Sequence, residues 1–581
     1  GVCACRAPTR VAGCDRHLRG AGGGMARRLL HCSVALASLG LPCAGLTTLD
    51  GGIDAFAAAD GDDGRRLQAR PEPERRFLVW LSDVHMDPFY GVAGQYNNNS
   101  AAVCSRLKEL SKEEADAHPY GVLPCDPPHL LWRSALQAAR AVPGGAELAI
   151  FTGDFVRHKP SAFPDPWNNT THAIRLVSDS MAETFGGLAP ERFVVGALGN
   201  DDSTANYHLA IEPEGKTSPW LSHVASILRG GGSMPAERSE RFGAGGFFEA
   251  QLGDAEQVRI LSLNTLIYST KHKPADPKPK DPFGQFAWLR ERLADAARSK
   301  VGVWIVGHIP PGLETFGYTP LWRKPYVESY LAIIQNPTLG AVIRAQLFGH
   351  VHADEFRVLP EAPPTAGPML LTGAVSPVFE SNPSFRLLEY DRVTGNLLNV
   401  KVFWADLTAN LTAGQGLAWK FGYDFLGAYP SLSAAIQKDG GLTNQAFMSL
   451  RSDLRSSWAA SGEQWQTYTA WYKTQRASDL SCASRHQRSG LSDETKWRFT
   501  EMYLCALTVG THKDFVDCAY NYSKRAIVEQ EPLDEDTLHP KLGVEAFSGA
   551  REHHWGSVAS SRERGALAKD CGHVLHAVAT G

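Results

Sequence analysis

Phe77-Leu78-Val79-Trp80-Leu81-Ser82-Asp83-Val84-His85 decides how this chain is read, because an apolar run ends there on an Asp-x-His pair. A short apolar run closed by polar residues reads as a buried strand. Residues i and i+2 of an extended backbone face the same side, so the strand end can aim Asp83 and His85 into one crevice. The pattern recurs four times downstream. Residues 148–152 lead to Gly153-Asp154, and 193–198 lead to Gly199-Asn200-Asp201-Asp202. Residues 303–306 lead to Gly307-His308-Ile309-Pro310-Pro311, and 346–348 lead to Gly349-His350-Val351-His352. Each polar residue alone has an ordinary explanation: Asp154 as a helix cap, Asn200 as a turn residue, a histidine as a satisfied polar group. Five such clusters in order at strand ends argue for one site. Asp83, His85, Asp154, Asn200, His308, His350 and His352 supply oxygen and nitrogen donors suited to two adjacent divalent cations. Asp154 has two oxygens with which to bridge them. Asn200, being neutral, limits the negative charge of a site that must admit an anion.

Further strand-like runs lie at 247–252, 258–263, 356–359, 369–372, 385–390 and 398–404, with helix-length segments at 130–141 and 285–297. This alternation predicts an α/β fold, and the closely spaced later strands predict two packed mixed sheets flanked by helices. From about Leu407 strand runs stop, and Trp458, Trp465, Trp471, Trp497 and Tyr503 recur at helical spacing. A mainly helical C-terminal subdomain is expected there. The resulting division is a leader without structural role at 1–24, a signal peptide or short anchor at 25–48, and a flexible lead-in at 49–75. A catalytic domain at 76–405, a helical cysteine-containing subdomain at 406–530 and a weakly patterned tail with Cys571 at 531–581 follow.

Met25, Arg27 and Arg28 precede an apolar stretch at 29–41 and the small residues Ala44 and Gly45, the order of a secretory signal. The stretch is shorter than the ~18 residues of a membrane span, so no stable span is expected. Beyond it lie Cys104, Cys125, Cys482, Cys505, Cys518 and Cys571. An even count behind a signal reads as disulfides, with Cys104 and Cys125 the natural local pair and the last four stapling the C-terminal part. Sequons at Asn98, Asn168, Asn169, Asn410 and Asn521 agree with a secreted protein or one in a vacuole- or lysosome-like lumen. A net charge of −4 over 581 residues gives no electrostatic footprint for nucleic acid or an anionic membrane.

Longer strings narrow the reading. Ser262-Leu263-Asn264-Thr265, Asp281-Pro282-Phe283-Gly284-Gln285-Phe286-Ala287-Trp288-Leu289, His350-Val351-His352-Ala353-Asp354-Glu355-Phe356 and Asn382-Pro383-Ser384-Phe385-Arg386 all bear on it. With the five clusters, they make residues 76–404 resemble the acid sphingomyelinase-like branch of the calcineurin-like metallophosphoesterase superfamily. The resemblance implies one metal on Asp83, His85, Asp154 and His352, and a second on Asp154, Asn200, His308 and His350. Zinc is the first choice for such histidine-rich ligation, and manganese or iron also suit it. It further implies hydrolysis of a phosphoric ester or anhydride by a metal-activated water, on polyphosphate, a nucleotide or a phospholipid headgroup.

Two features depart from a true sphingomyelinase. The stretch between the expected signal and the catalytic domain, residues 49–75, is too short and lacks the cysteines for a lipid-presenting saposin domain. Asp201 also stands where the family usually has a proton-donating histidine. That replacement, together with Arg157-His158 after Gly153-Asp154, resembles the endopolyphosphatase branch. An exposed aspartate titrates near ~3.9 and an imidazole near ~6.5, so His158 is the better catalytic proton donor and Asp201 the poorer one. A phosphate leaving from an anhydride departs without a proton, whereas an alkoxide gains much from one. Anhydrides or activated diesters are therefore expected substrates. Lys271 and Lys273, in a run with His272, Lys278 and Lys280, are expected to bind or steer a polyanion unless they form only a solvated loop. The alternatives are a sphingomyelin phosphodiesterase proper and a phosphate-binding module without turnover.

Overall fold

Strands β1 (Arg75–Leu81), β2 (Leu148–Phe151) and β3 (Phe193–Val195) run parallel to one another, as apolar runs joined by helical crossovers should. β4 (Phe248–Gln251), β5 (Val258–Ser262), β6 (Gly302–Val306), β7 (Ile343–Phe348), β8 (Glu355–Arg357) and β9 (Met369–Leu371) follow. β10 (Ser384–Asp391), β11 (Leu397–Ala405) and β12 (Trp419–Asp424) complete the strands of the described residues. One sheet has the order β12–β11–β10–β1–β2–β3, and the other β4–β5–β6–β7–β9–β8. Both are mixed: β10, β11 and β12 pair antiparallel in the first, while β5, β6, β7 and β9 are parallel in the second. The computed structural model of the chain describes residues 72–92, 104, 110–146, 148–185, 193–212, 218–251, 257–274, 279–409, 416–476, 478–482 and 493–528. The expected signal at 25–48, the tail at 531–581 with Cys571, and the sequons at Asn98 and Asn410 lie outside the described residues.

All five residues of β6 are buried, the mark of a parallel strand covered on both faces. One hydrophobic core draws on both sheets, and Trp304 of β6 meets Tyr390 of β10 edge to face at 5.5 Å. The helix His129–Arg140 buries Leu131, Trp132, Ala135, Leu136 and Ala139, one stripe at helical spacing. Its Trp132 lies edge-on to Phe151 of β2 at 5.5 Å and donates its indole N–H to the Val177 carbonyl. Burying five such side chains stabilises the layer by several kcal/mol, at ~1.5–3 kcal/mol for each large one.

The helical expectation for the C-terminal part is met by Asn444–Ala460, Glu463–Tyr472, Asp493–Ala506 and His512–Val528. The expectation that strands stop at Leu407 is not. β12 pairs with β11 beyond that point, an edge strand whose half-exposed residues give no apolar run to read. The helical part is stitched to the sheets through Val358, whose N–H donates to the Leu507 carbonyl and whose carbonyl accepts from Val509 N–H. Disulfides join Cys104 to Cys125 and Cys505 to Cys518. No helix among the described residues is long and apolar enough to cross a membrane.

Candidate metal centre

The loops leaving β1, β2, β3, β6 and β7 carry all seven candidate donors, so the C-terminal ends of parallel strands from both sheets meet at one place. Backbone bonds zip these loops together. Asp83 N–H donates to the Gly153 carbonyl and His85 N–H to the Asp154 carbonyl, both at 3.0 Å, and Gly349 N–H donates to the His308 carbonyl at 3.0 Å. The expected extended i, i+2 geometry does not hold. Asp83, His85, Asp154, His350 and His352 have φ of 52°, 44°, 58°, 73° and 54°, all in the left-handed region. Each such residue costs of order 1–3 kcal/mol, and five together at one site mark strain kept for a purpose. The side chains converge because the strand ends are kinked, not because they are flat.

The longer sequence strings act behind the donors. Gln285 takes the Asn264 backbone in both directions, its Oε1 accepting from Asn264 N–H at 2.8 Å and its Nε2 donating to the Asn264 carbonyl at 3.0 Å. That fixes Thr265, whose hydroxyl accepts from the N–H groups of His308 at 3.2 Å and Ile309 at 2.8 Å.

His85 Nδ1 faces the Val156 carbonyl at 3.0 Å, and His308 Nδ1 faces the Thr152 carbonyl at 2.8 Å. A carbonyl only accepts, so both rings carry hydrogen on Nδ1 and turn Nε2 inward. His85 Nε2 then lies 3.1 Å from His352 Nε2 and 3.2 Å from Asp154 Oδ2. His308 Nε2 lies 3.0 Å from Asp154 Oδ2 and 3.2 Å from Asn200 Oδ1. His352 Nε2 lies 3.3 Å from Asp83 Oδ1. Nitrogen atoms of His308 and His350 and an oxygen of Asp154 fall within 4.8 Å of one another, as do donors of Asp83, His85 and Asp154. Buried lone pairs facing buried lone pairs need positive charge between them. Asp83 Oδ2, buried without a hydrogen-bond partner, adds to that demand. The donor set therefore fits cations, and Asp154 stands between its two halves.

Titration behaviour reports the same demand. Burial opposes charge on His85 and His308, yet the Asp154 carboxylate overrides it and pushes them up to about 10 and about 9. Burial would also raise Asp154, but the charges of His308 and His85 hold it well below the usual carboxylate range. His350 and His352 are lowered by burial to about 3 and about 4 and stay neutral. Protons thus hold the cation positions on His85 and His308 in the metal-free protein. Both pKa values are raised, so the stability they lend is complete below 6.5 and is lost as pH climbs through about 9 to 10. Metal binding must displace these protons. Scanning calorimetry with and without a divalent cation should show a metal-induced rise in Tm that grows from pH 6.5 to about 9. A rise that shrinks with pH would contradict this protonation pattern.

Asp201 is fully buried, which corrects its reading as an exposed carboxylate titrating near ~3.9. Burial raises it to about 7. Its N–H donates to Asp154 Oδ1 at 2.9 Å, and its Oδ2 accepts from Asn200 Nδ2 at 2.9 Å. Because Asn200 Nδ2 also donates to Asn206 Oδ1 at 3.0 Å, the amide is held with its oxygen toward His308. His158 stacks on His85 with ring centres 3.8 Å apart and keeps 19% of its side chain exposed. Arg157 is buried beside Asp87 and over Phe163, away from solvent.

Three residues were missed by sequence reasoning. Asp126 is fully buried, with Oδ1 3.0 Å from His158 Nδ1 and Oδ2 accepting His158 N–H at 2.8 Å. Burial would raise this carboxyl, but His158 beside it holds it low. Only its place in Cys125-Asp126-Pro127-Pro128, an acid among rigid neighbours, could have signalled it. Asp202 accepts from the N–H groups of Gly199 at 2.7 Å, Asp154 at 2.9 Å and Phe155 at 2.7 Å, and so ties the second donor loop to the third. Phe379, 46% exposed, stands edge-on to His352 at 4.8 Å and His158 at 5.3 Å at the mouth of the site. No sequence signal marks it.

No protein-family model matches the chain. Acid sphingomyelinase-like phosphodiesterase 3b of Homo sapiens is 30% identical over 391 residues, which cover 63% of this chain and 78% of that protein. Cyclic GMP-AMP phosphodiesterase SMPDL3A of Homo sapiens is 28% identical over 361 residues, covering 61% and 75%. Sphingomyelinase phosphodiesterase D of Dictyostelium discoideum is 27% identical over 316 residues, covering 53% and 67%. Among solved structures, a dimetal phosphatase from Danio rerio aligns with 58% of this chain and 98% of its own at 11% identity and a TM-score of 0.34. The chain belongs to the acid sphingomyelinase-like phosphodiesterases and is a metal-dependent phosphoesterase.

Proposed function

We propose that this protein is a secreted or lumenal hydrolase of phosphoric anhydrides and activated diesters. Asp83, His85, Asp154 and His352 would hold one divalent ion, and Asp154, Asn200, His308 and His350 the other. Two such ions would supply Lewis acidity for the phosphoryl oxygens and for the attacking water. The rest falls to the chain. Asp201 fixes the Asn200 amide, Asp202 and Thr265 fix the donor loops, and Phe379 shields one flank of the mouth. His158, with Nδ1 on the Asp126 carboxylate, can hold a proton on Nε2 for the departing oxygen.

The observation that carries the substrate preference is the carboxyl of Asp201, buried against Asn200 where the family resemblance leads one to expect a proton-donating histidine. That carboxyl is fully buried with Oδ2 engaged by the Asn200 amide, so even with its pKa raised it does not reach a departing oxygen. With one proton source fewer, leaving groups that depart without a proton gain relative to alkoxides. The relatives' names include both a cyclic GMP-AMP phosphodiesterase and sphingomyelinase phosphodiesterases, which name phosphodiesters, so a cyclic dinucleotide and sphingomyelin are the diesters to set beside a nucleotide anhydride.

Asp126→Asn tests the division of labour. It should lower kcat/KM by roughly 10–100-fold on alkoxide-leaving diesters, the size of effect seen when an orienting partner is lost. Nitrophenolate-leaving diesters should lose no more than about threefold, since such an anion departs with little need of a proton. A uniform loss across the leaving-group series would remove His158 as the donor.

A further inference from the structure

Tyr472 belongs to the helical C-terminal part, at the end of Glu463–Tyr472, yet it grips the segments that leave both His308 and His352. Its hydroxyl lies 3.1 Å from Thr315 Oγ1, in the segment that follows His308. Its carbonyl accepts at 3.1 Å from the N–H of Asp354, just beyond His352. A buried carboxylate orders the hydrogens between these points. Thr315 Oγ1 donates to Glu355 Oε2 at 2.6 Å, and since a carboxylate only accepts, the threonine oxygen is left to accept from Tyr472. Tyr503 of Asp493–Ala506 donates to the same carboxylate oxygen at 3.5 Å, and so accepts from Tyr468 at 2.6 Å. The other Glu355 oxygen pairs with Arg357, whose Nη2 donates to the Leu313 carbonyl at 2.9 Å.

All of these side chains are buried. An ion pair and its hydroxyls held out of water gain little stability over apolar residues of the same volume. What such a network supplies is direction, because each bond is made only by a partner lying along it. Here the directions run from the C-terminal helices to the two segments that leave His308 and His352. Closer to the donors the same loops are joined by Gly349 N–H on the His308 carbonyl. Phe515 of His512–Val528 stacks flat on Tyr318, ring centres 5.2 Å apart, further along the first segment. The neighbouring basic run is taken up by the chain itself: Lys273 N–H donates to the Tyr207 carbonyl at 2.8 Å, and the Lys271 charge faces the Glu314 carboxylate.

We propose that Tyr472, Thr315 and Glu355 are positioning residues of the metal centre: they set the spacing of the His308 and His352 loops, so that the helical C-terminal part governs how tightly the ions are held. None of them touches an ion or a substrate. The inference rests on the reading of the donor set as a two-ion site, and it names the residues that keep the two halves of that site in register.

The test is the zinc affinity of the metal-stripped full chain, read by competition with a chromophoric chelator and with no substrate present. Thr315→Val keeps the volume and removes the hydroxyl. It should weaken zinc binding about tenfold, the lower end of the loss seen when a partner behind a ligand is removed. Thr315→Ser, which keeps the hydroxyl, should restore parental affinity. Tyr472→Phe, which keeps the carbonyl on Asp354 and loses the hydroxyl, should fall between the two. Leu454→Val, trimming the core of Asn444–Ala460, controls for stability alone: it should lower Tm and leave zinc affinity unchanged. Parental zinc affinity in Thr315→Val and Tyr472→Phe, no rescue by Thr315→Ser, or an equal loss in Leu454→Val overturns the proposal. A protein that binds zinc in this pattern but hydrolyses no phosphoric ester or anhydride would sink the functional reading instead and leave this one standing.

Discussion

Asp154→Asn should reduce phosphodiester turnover to background, lowering kcat/KM by at least about a thousandfold, or ~4 kcal/mol of transition-state stabilisation. The expectation follows from where Asp154 stands. One oxygen faces both His85 Nε2 and His308 Nε2, and the other accepts from Asp201 N–H. The amide is nearly isosteric but neutral and can turn only one oxygen toward the two halves of the donor set. The fold should survive, because Asp202 holds the Asp154 backbone N–H regardless of the side chain. A steady-state assay beside a thermal melt separates the outcomes: turnover lost with Tm kept within a few degrees is expected. Turnover within tenfold of the parent would mean that Asp154 does not join two ions.

The second large effect is steric. Gly199 lies so close to the Asp154 loop that a Cβ on it would collide with Asp154 Oδ1 and with the Asp154 backbone nitrogen. Neither atom can retreat, since the first accepts from Asp201 N–H and the second donates to Asp202. Gly199→Ala should therefore cost about 2–4 kcal/mol of stability, the overpacking range and above, and lower kcat/KM by at least about a hundredfold. Denaturant melts and the same steady-state assay check both numbers. A variant with parental stability and turnover would show that the two donor loops have room to part.

Much of this arrangement was legible in the chain, for a definite reason. Buried parallel strands need continuous apolar runs, and ligands at their ends need Asp, Asn or His, so composition and position coincide at Asp83, Asp154, Asn200, His308 and His350. The motif at Gln285 was legible as a string but not as a mechanism, because its effect reaches His308 through Asn264 and Thr265. Asp126 and Asp202 escaped notice because their roles are contacts across 32 and 48 residues, which no local pattern encodes. β12 was lost to its half-exposed edge position. The left-handed backbone at five donors was invisible because φ follows from how loops are tied together, not from the residue types that occupy it. Asp201 was misread because exposure was assumed where the fold supplies burial.

The central claim is that two divalent ions held by these seven side chains perform the hydrolysis. The most direct test is to strip the purified protein with a chelator and add back zinc, manganese or iron stepwise while following bis-p-nitrophenyl phosphate turnover and bound metal by mass spectrometry. The account predicts no turnover in the stripped protein and recovery that saturates at two ions per chain. Turnover that persists without metal, or saturates at one ion with the second position empty, would contradict it.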